Sequence, residues 1–353
     1  MPASQLTLPD WPRVSGAPVA SAVMRACAED FRVDEVSSVE IDGDGEHLMI
    51  RVRKRNQNTV DVAQRLARHA GVKLRDIGYA GLKDRNAVTT QWFSVWLPGK
   101  PDPDWSGLED DDLQILDSRR HGRKLQRGAL RGNRFVLVLR DVEFHAPADR
   151  SALEQRLAVI AEQGVPNYFG EQRFGRRGRN LTEATAMFGG RRVKDRHRRG
   201  LYLSAARSFL FNEVLAARVA GHNWNRMLSG EALMLAGSRS FFVAEKADAE
   251  LEARFAAGDV LASGPLWGRG SPLPRGEALA LETRALAGHC VYRDGLASAG
   301  LKQERRALRL PVADLQWCWL PDGQHLQLGF ELPAGCYATS VLRELVDTRA
   351  AAR

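Results

Sequence analysis

Residues 77–91 read IGYAGLKDRNAVTTQ, a stretch that places glycines, one carboxylate and flanking basic residues between two apolar segments. Glycine adopts backbone angles that a side chain forbids, so Gly78 and Gly81 predict a tight turn that presents Asp84 to a ligand. An Asp in a glycine-rich turn is also commonly a turn-capping residue, which is the alternative interpretation. We therefore treat Asp84 as a candidate catalytic nucleophile. Motifs elsewhere in the chain decide between this role and that of a turn-capping residue.

Regular elements are predicted on both sides of this loop. Thr59 is expected to cap a helix that ends at Gly71, because apolar residues recur between them at helical spacing. After the loop, residues 92–97 read WFSVWL and have strong strand propensity. Before the helix, residues 47–52 read HLMIRV and predict a strand, and the basic run 53–56 predicts a solvated loop or a phosphate contact.

Composition and charge limit the class of protein. The chain has 353 residues of which 44% are hydrophobic, enough for one large domain or two of ordinary size with buried cores. Lys and Arg number 51 against 43 acidic residues, a net charge of +8, which favours a polyanionic partner without distinguishing RNA, DNA and anionic membrane. No apolar run approaches the roughly 20 residues that span a bilayer. We therefore expect a cytoplasmic protein without a membrane segment.

The cysteines and the glycine patterns give no support for a metal or cofactor. Four cysteines lie far apart without a C-x-x-C pair, so neither a disulfide framework nor a zinc site is expected. His289 and Cys290 are adjacent, but no third group that would orient a Cys-His nucleophile can be identified. No glycine-rich nucleotide-binding loop is present. The chemistry is therefore expected to use ordinary side chains, with no cofactor.

Several motifs resemble those of one enzyme family. The string GLKDRNAVTTQ, residues 81–91, resembles the catalytic segment of the TruD family of transfer-RNA pseudouridine synthases, in which the Asp after G-x-K is catalytic. Residues 29–35 (EDFRVDE), 128–135 (GALRGNRF), 165–175 (VPNYFGEQRFG) and 332–340 (LPAGCYATS) are similar to further motifs of that family. The resemblance extends from about Arg25 to Leu345.

This resemblance implies roles for individual residues. Asp84 would be the nucleophile, and Arg25, which stands where the family has a basic residue, would pair with it and favour its ionised form. For Asn133, the alternative from the residues alone is a turn position after Gly132. The implied substrate contacts are Phe31, Asn133, Phe135 and Tyr337, the last at a position where the family has Phe.

The resemblance also implies an activity. It is the isomerisation of uridine to pseudouridine, at position 13 of tRNA, by a monomer that needs no cofactor. Attack of the carboxylate on the sugar and attack on the base both remain open, and so does the identity of the tRNA. The competing interpretations are a noncatalytic RNA-binding protein, which charge and aromatic residues alone would support, and an RNA methyltransferase, against which the missing glycine-rich cofactor loop argues.

The predicted fold is α+β. Residues 1–163 and 311–353 would form a discontinuous pseudouridine synthase domain with a mainly antiparallel mixed sheet flanked by helices, and residues 164–310 an inserted α/β TRUD domain. Within the insert, an amphipathic helix is predicted over residues 205–220. The basic run 191–199 is either a solvated face or, as we favour, a patch that binds the RNA backbone. The residues proposed for this contact are Arg196, Arg198 and Arg199.

Overall fold

The structure, a computed structural model, describes residues 8–245 and 247–350, and the chain divides into two compact units. The first, which we call the helical unit, comprises the residues up to Pro18, Ala158–Pro311 and Cys336–Glu344. The second, which we call the sheet unit, comprises Val19–Leu157, Val312–Gly335 and the residues from Leu345 onward. The predicted domain limits near residues 163 and 311 remain predictions.

Within the described residues the strands are β1 (Ala20–Met24), β2 (Phe31–Ser37), β3 (His47–Arg55), β4 (Ile77–Tyr79), β5 (Val88–Trp96), β6 (Leu113–His121), β7 (Leu130–Phe144), β8 (Val165–Pro166), β9 (Glu231–Leu235), β10 (Phe241–Ala244), β11 (Val260–Leu266), β12 (Glu304–Ala307), β13 (Arg309–Leu310), β14 (Ala313–Trp319), β15 (Leu326–Pro333) and β16 (Val346–Ala350). The helices are α1 (Thr59–His69), α2 (Asp149–Gln163), α3 (Arg179–Phe188), α4 (Arg196–Ala220), α5 (Ala249–Ala257), α6 (Gly276–Ala285), α7 (Cys290–Ser298) and α8 (Ala338–Leu342). The predicted α+β class is confirmed.

One large sheet organises the sheet unit. Its central strands run in the order β14-β15-β7-β2-β5-β3-β6, with β1 on β7, β16 on β1, and β4 on β5. Among the described residues, β1 with β16 and β2 with β5 are parallel pairs, whereas the other pairs of this sheet are antiparallel. The predicted mainly antiparallel mixed sheet is therefore confirmed.

The burial pattern explains why these segments form strands. In β15 every second side chain is buried and the residues between them are partly exposed, which is the period of two expected for a sheet with one covered face. Helix α1 buries Val62, Ala63 and Leu66, which belong to the same apolar cluster as Ile50 of β3 and Phe93 of β5. This packing fixes α1 and β5 on either side of the Asp84 loop.

A close approach of two strands requires glycine at position 132. A Cβ atom built on Gly132 of β7 would lie 2.4 Å from the carbonyl oxygen of Leu332 in β15. Real Cβ atoms are not found at that distance from backbone, so a side chain at this position must separate the strands. Gly329, also in β15, has no atom within 4 Å of its built Cβ.

We expect Gly132→Ala to lower the free energy of unfolding by about 1–3 kcal/mol, because the added methyl overpacks a backbone contact. Gly329→Ala is the matched control and should change it by less than about 0.5 kcal/mol. Urea unfolding followed by circular dichroism measures both. Equal losses in the two variants would contradict the steric explanation.

The helical unit is packed around α4. Phe209, Leu210 and Phe211 of this helix are buried in a cluster that includes residues of α3, α6 and α7. Strands in the order β10-β9-β11-β12 form a second sheet, and its pairings are antiparallel. The predicted helix over residues 205–220 is confirmed and begins nine residues earlier, at Arg196. No helix in the described part of the chain has the length and apolar character needed to cross a membrane.

Candidate active site

Asp84 and Arg25 form an ion pair in the sheet unit. Nη2 of Arg25 donates to Oδ2 of Asp84 at 3.0 Å, and the side chains are 28% and 53% exposed, so the carboxylate is accessible to a ligand. Arg25 directly follows β1 and has a φ of 60°, a left-handed conformation that residues other than glycine rarely adopt. Such a conformation costs about 1–3 kcal/mol and is found most often at functional sites.

Buried aromatic rings support this arginine. The guanidinium carbon of Arg25 lies 3.7 Å from the centre of the Phe31 ring. Phe31 meets Phe135 edge-on at 6.2 Å between ring centres, and Phe135 stacks on Phe330 at 5.5 Å. Phe31 and Phe135 are only 2% and 6% exposed, so the Phe31 ring that contacts Arg25 is itself packed against a second buried ring. Direct contact of either ring with a substrate stays a prediction.

Asn133 lies within β7, where it pairs with Glu35 of β2 and Leu332 of β15. The interpretation as a turn residue is therefore wrong. Its Oδ1 atom is buried and has no hydrogen-bond partner in the part of the chain that the structure describes. A buried acceptor without a partner costs about 1–3 kcal/mol, so a ligand that donates a hydrogen bond here would recover that cost.

The active-site loop, residues 80–87, is held by hydrogen bonds from the elements around it. Nε2 of Gln91 donates to the carbonyl of Gly81 at 3.1 Å, and the amide of Lys83 donates to Oγ1 of Thr59 at 2.9 Å. The Thr59 hydroxyl donates in turn to Oε1 of Gln91 at 2.9 Å. Helix α1 and strand β5 thus fix the loop jointly, which is the preorganisation that a catalytic carboxylate requires.

Three local predictions around this loop are wrong: the turn conformations of Gly78 and Gly81, and the capping role of Thr59. Neither Gly78 nor Gly81 adopts a positive φ. Gly78 is required for a close approach instead, since a Cβ atom there would lie 2.5 Å from the carbonyl oxygen of Leu125. Asn58 occupies the N-cap position of α1, and Thr59 is the first helical residue. The hydroxyl of Thr59 is used for the loop contact described above.

Lys54, near the end of β3, is a site residue that the sequence reasoning missed. It is fully buried, and its Nζ donates to the carbonyl oxygens of Gln57 at 2.6 Å and of Asp84 at 2.9 Å. Burial lowers the pKa of Lys54 to about 8, although the Asp84 carboxylate opposes that shift. Lys54 therefore connects the sheet directly to the backbone of the candidate nucleophile.

A buried ion pair fixes the residue before Asp84. Nζ of Lys83 lies 2.7 Å from Oε2 of Glu35, and the two side chains are 6% and 1% exposed. The other carboxylate oxygen of Glu35 accepts a hydrogen bond from the Trp92 amide at 3.3 Å. Removing either partner would leave a buried charge uncompensated. The contact with Glu35 of β2 thus explains why the residue before Asp84 is a lysine.

Asp30 anchors the segment that carries Phe31. The guanidinium of Arg140 donates to both carboxylate oxygens, at 2.8 and 2.9 Å, and the amide of Cys27 donates to Oδ2 at 3.1 Å. Burial raises the pKa of Asp30, but the hydrogen bonds from Arg140 and Cys27 outweigh this and lower it below its ordinary value. The ionised carboxylate therefore ties the start of β2 to β7.

The residues predicted to contact the RNA backbone lie in the helical unit, at the first turn of α4. Arg196, Arg198 and Arg199 are exposed. Asp195 caps the helix, and its Oδ1 accepts hydrogen bonds from the amides of His197 and Arg198 at 2.8 and 3.2 Å. Positive side chains at a helix N-terminus oppose the helix dipole, so this cluster does not stabilise its own helix.

Tyr337 also lies in the helical unit, directly before α8. Its hydroxyl accepts a hydrogen bond from Nη2 of Arg173 at 2.7 Å. The oxygen that distinguishes this Tyr from the Phe implied by the resemblance therefore has a defined partner. The contact of Tyr337 with a nucleoside stays a prediction.

The sheet unit thus brings together an accessible carboxylate, a guanidinium that orients it and an aromatic support. Such a carboxylate can act as a nucleophile or stabilise positive charge that develops in a transition state. Within residues 8–245 and 247–350, no group of three or more His, Cys, Asp or Glu side chains is placed to hold a metal ion.

Comparison with known proteins identifies the family. The family model described as tRNA pseudouridine synthase D (TruD) matches residues 13–191 and 179–345. The chain is 53% identical to tRNA pseudouridine synthase D of Methylococcus capsulatus over 339 residues, covering 96% of this chain and 94% of that protein. It is also 53% identical to the protein of the same name from Xanthomonas campestris over 359 residues, covering 98% and 96%.

A solved structure supports the fold. A crystal structure from Methanosarcina mazei, of a protein provisionally assigned to tRNA pseudouridine synthase D, superposes with a TM-score of 0.71 at 23% identity and covers 98% of this chain and 96% of that one. The two chains therefore share a fold. The chain belongs to the tRNA pseudouridine synthase D (TruD) family, and it is an enzyme of the isomerase class.

Proposed function

We propose that this enzyme converts uridine 13 of tRNA to pseudouridine, with Asp84 as the nucleophile and without a cofactor. The observation that carries the proposal is the accessible Asp84 carboxylate, which is paired with Arg25 at 3.0 Å on a loop held by its neighbours. The two relatives named above are called tRNA pseudouridine synthase D, which supports tRNA as the substrate.

The reaction breaks the bond between N1 of uracil and C1′ of ribose, rotates the base and joins C5 to C1′. The proton on C5 is then released and N1, freed from C1′, takes up a proton, so the product is an isomer of the substrate and no oxidant is needed. Asp84 acts either at C1′ or on the base, and both routes place the same nucleoside beside the carboxylate. In either route Arg25 orients the carboxylate until the nucleoside arrives.

The target base must leave its stack to reach Asp84, at a cost of a few kcal/mol. The unpartnered Oδ1 of Asn133 can offset part of this cost by accepting a hydrogen bond from an N–H or O–H group of the nucleoside. Phe31 contributes by packing against the Arg25 guanidinium, and Phe135 packs against Phe31. The nucleoside is therefore held by polar contacts in the sheet unit. The guanidinium of Arg25, which orients the carboxylate, is supported by buried aromatic side chains.

Release of tritium from tRNA that carries [5-³H]uridine tests this function. Dialysed enzyme without added cofactor should release one tritium per tRNA, and a tRNA with cytidine at position 13 should release none. Replacing a different uridine by cytidine is the matched control and should leave release unchanged. A noncatalytic RNA-binding protein predicts no release, and a methyltransferase predicts release only with an added methyl donor; either result would reject the proposal.

We further propose that Arg196, Arg198 and Arg199 contact phosphates of the RNA backbone. Charge reversal of all three to Glu should weaken tRNA binding and reduce the slope of log K against log salt concentration by about 2 to 3, or 0.7–0.9 per lost phosphate contact. Fluorescence anisotropy at several salt concentrations measures this slope. Arg284→Glu, at an exposed position of α6, is the control; an unchanged slope in the triple variant would assign the cluster to solubility.

A further inference from the structure

Two arginines of the helical unit share one aromatic ring. The guanidinium carbons of Arg306 and Arg173 lie 4.2 and 5.3 Å from the centre of the Phe169 ring. Nη2 of Arg306 donates to Oδ1 of Asn167 at 2.6 Å, and Nη2 of Arg173 donates to the hydroxyl of Tyr337 at 2.7 Å. We call Arg306 and Arg173 the arginine pair. The hydrogen-bond partners in these contacts are all neutral.

The positive charge of the arginine pair is not compensated within the described residues. Neither guanidinium makes an ion pair there, whereas other arginines of the same unit do, among them Arg207 with Glu304, Arg218 with Glu231 and Arg305 with Glu282. Burial lowers the pKa of Arg306, and the neighbouring charge of Arg173 lowers it further. Two like charges that are held together and partly removed from water carry a cost that a bound anion would offset.

Polar atoms without partners lie in the same segments. Nε of Arg306 and Oγ1 of Thr339 are both buried; among the described residues, the former donates no hydrogen bond and the latter makes none. Oγ1 of Thr339 is close to Gly170, since a Cβ atom built there would lie 3.3 Å from it. Buried polar atoms are nearly always paired in folded proteins, so an unpaired Nε–H on Arg306, whose guanidinium charge is uncompensated among the described residues, indicates an anionic ligand.

We propose that the arginine pair binds one backbone phosphate of the RNA substrate. A guanidinium presents several N–H donors in a plane and matches two phosphate oxygens at once, and its stacking on Phe169 fixes that plane. The Tyr337 hydroxyl, which accepts a hydrogen bond from Arg173, can donate its own hydrogen to the same anion. The site is separate from the cluster on α4 and rests on the proposed function only in taking RNA as the ligand.

Equilibrium binding of tRNA by anisotropy, from 50 to 300 mM salt, tests the arginine pair. Arg306→Gln and Arg173→Gln should each weaken binding about tenfold at 100 mM salt and reduce the salt slope by about 0.7–0.9, the value for one phosphate contact. Arg207→Gln removes a paired arginine of the same unit and should leave the slope unchanged. Arg306→Lys keeps the charge and should restore most of the slope, although not the full affinity.

Thermal unfolding shows whether each variant is folded. If Arg306→Gln does not fold, the binding of tRNA by Arg173→Gln still tests the proposal. A second test uses the unmodified enzyme, in which tRNA should protect both arginines from modification by phenylglyoxal, as measured by mass spectrometry. A slope and affinity equal to those of the control, or equal modification with and without tRNA, would overturn the proposal. Full tritium release by the unmodified enzyme together with an unchanged slope in the variants would reject the arginine pair alone. No release by the unmodified enzyme together with a reduced slope in the variants would reject the catalytic proposal alone.

Discussion

Lys54→Met is expected to lower the single-turnover rate of pseudouridine formation by about 10- to 100-fold. The Lys54 ammonium donates to the backbone carbonyl of Asp84 from a fully buried position, and Met fills the space without replacing the donor. The loop is then free to shift, and a displacement of about 1 Å at a reacting group can cost about 100-fold in rate. Rapid quench with tritium release measures the rate, and the affinity for tRNA should stay within about twofold.

Lys73→Met removes an exposed lysine of the same unit and is the matched control, with a rate equal to that of the unmodified enzyme. A Lys54→Met enzyme that is folded and turns over within twofold of the control would remove Lys54 from the positioning of Asp84. A fall in tRNA affinity that accounts for the whole effect would also contradict this role.

Lys54 also makes stability depend on pH. Its pKa in the folded protein is lowered to about 8, against about 10.4 for an ordinary lysine. Between these values the unfolded chain binds more protons than the folded one, so the free energy of unfolding rises with pH through this window. The unmodified enzyme should therefore gain stability relative to Lys54→Met between pH 8 and 10, as measured by urea unfolding. A constant difference would contradict the lowered pKa.

The features that sequence predicted best are those that short motifs encode. The mixed antiparallel sheet, the strand after the loop and the long helix of the other unit follow from periodicity and from family resemblance. The contact between Arg25 and Asp84 joins residues that are 59 positions apart. Spacing alone does not predict such a contact, and only the resemblance placed the two residues together.

Lys54 was missed because its chemistry depends on the strand that contains it. The run 53–56 was expected to be a loop, yet β3 continues to Arg55. Inward positions in β3 alternate, and Ile50 and Val52 are fully buried. If this alternation is continued by two residues, Lys54 also points into the core. A predicted strand that ended at residue 54 or 55 would therefore have identified a buried lysine.

The end of the chain illustrates how tertiary pairing overrides local pattern. Val341, Leu342, Leu345 and Val346 have the spacing of a helix, but α8 ends at Leu342 and β16 begins at Val346. β16 pairs in parallel with β1, more than 300 residues earlier in the chain. No local signal encodes that partner. The uncompensated charge of Arg173 and Arg306 is likewise visible only once the positions of the carboxylates are known.

Asp84→Asn is expected to abolish catalysis, with a loss of more than about 1,000-fold in the single-turnover rate. The amide keeps the shape of the side chain and leaves the backbone carbonyl bonded to Lys54, so the loop and its fold are retained. It lacks the negative charge that pairs with Arg25 and that, in the proposed mechanism, attacks the nucleoside. Binding of tRNA should therefore stay within about threefold while isomerisation stops.

The most direct measurement is the single-turnover release of tritium from [5-³H]uridine tRNA by Asp84→Asn, beside Asp111→Asn, which changes an exposed carboxylate of the same unit. Asp111→Asn should react at the unmodified rate, and Asp84→Asn should bind the tRNA and release no tritium above background. Tritium release by Asp84→Asn at a rate near that of Asp111→Asn would show that another group performs the chemistry.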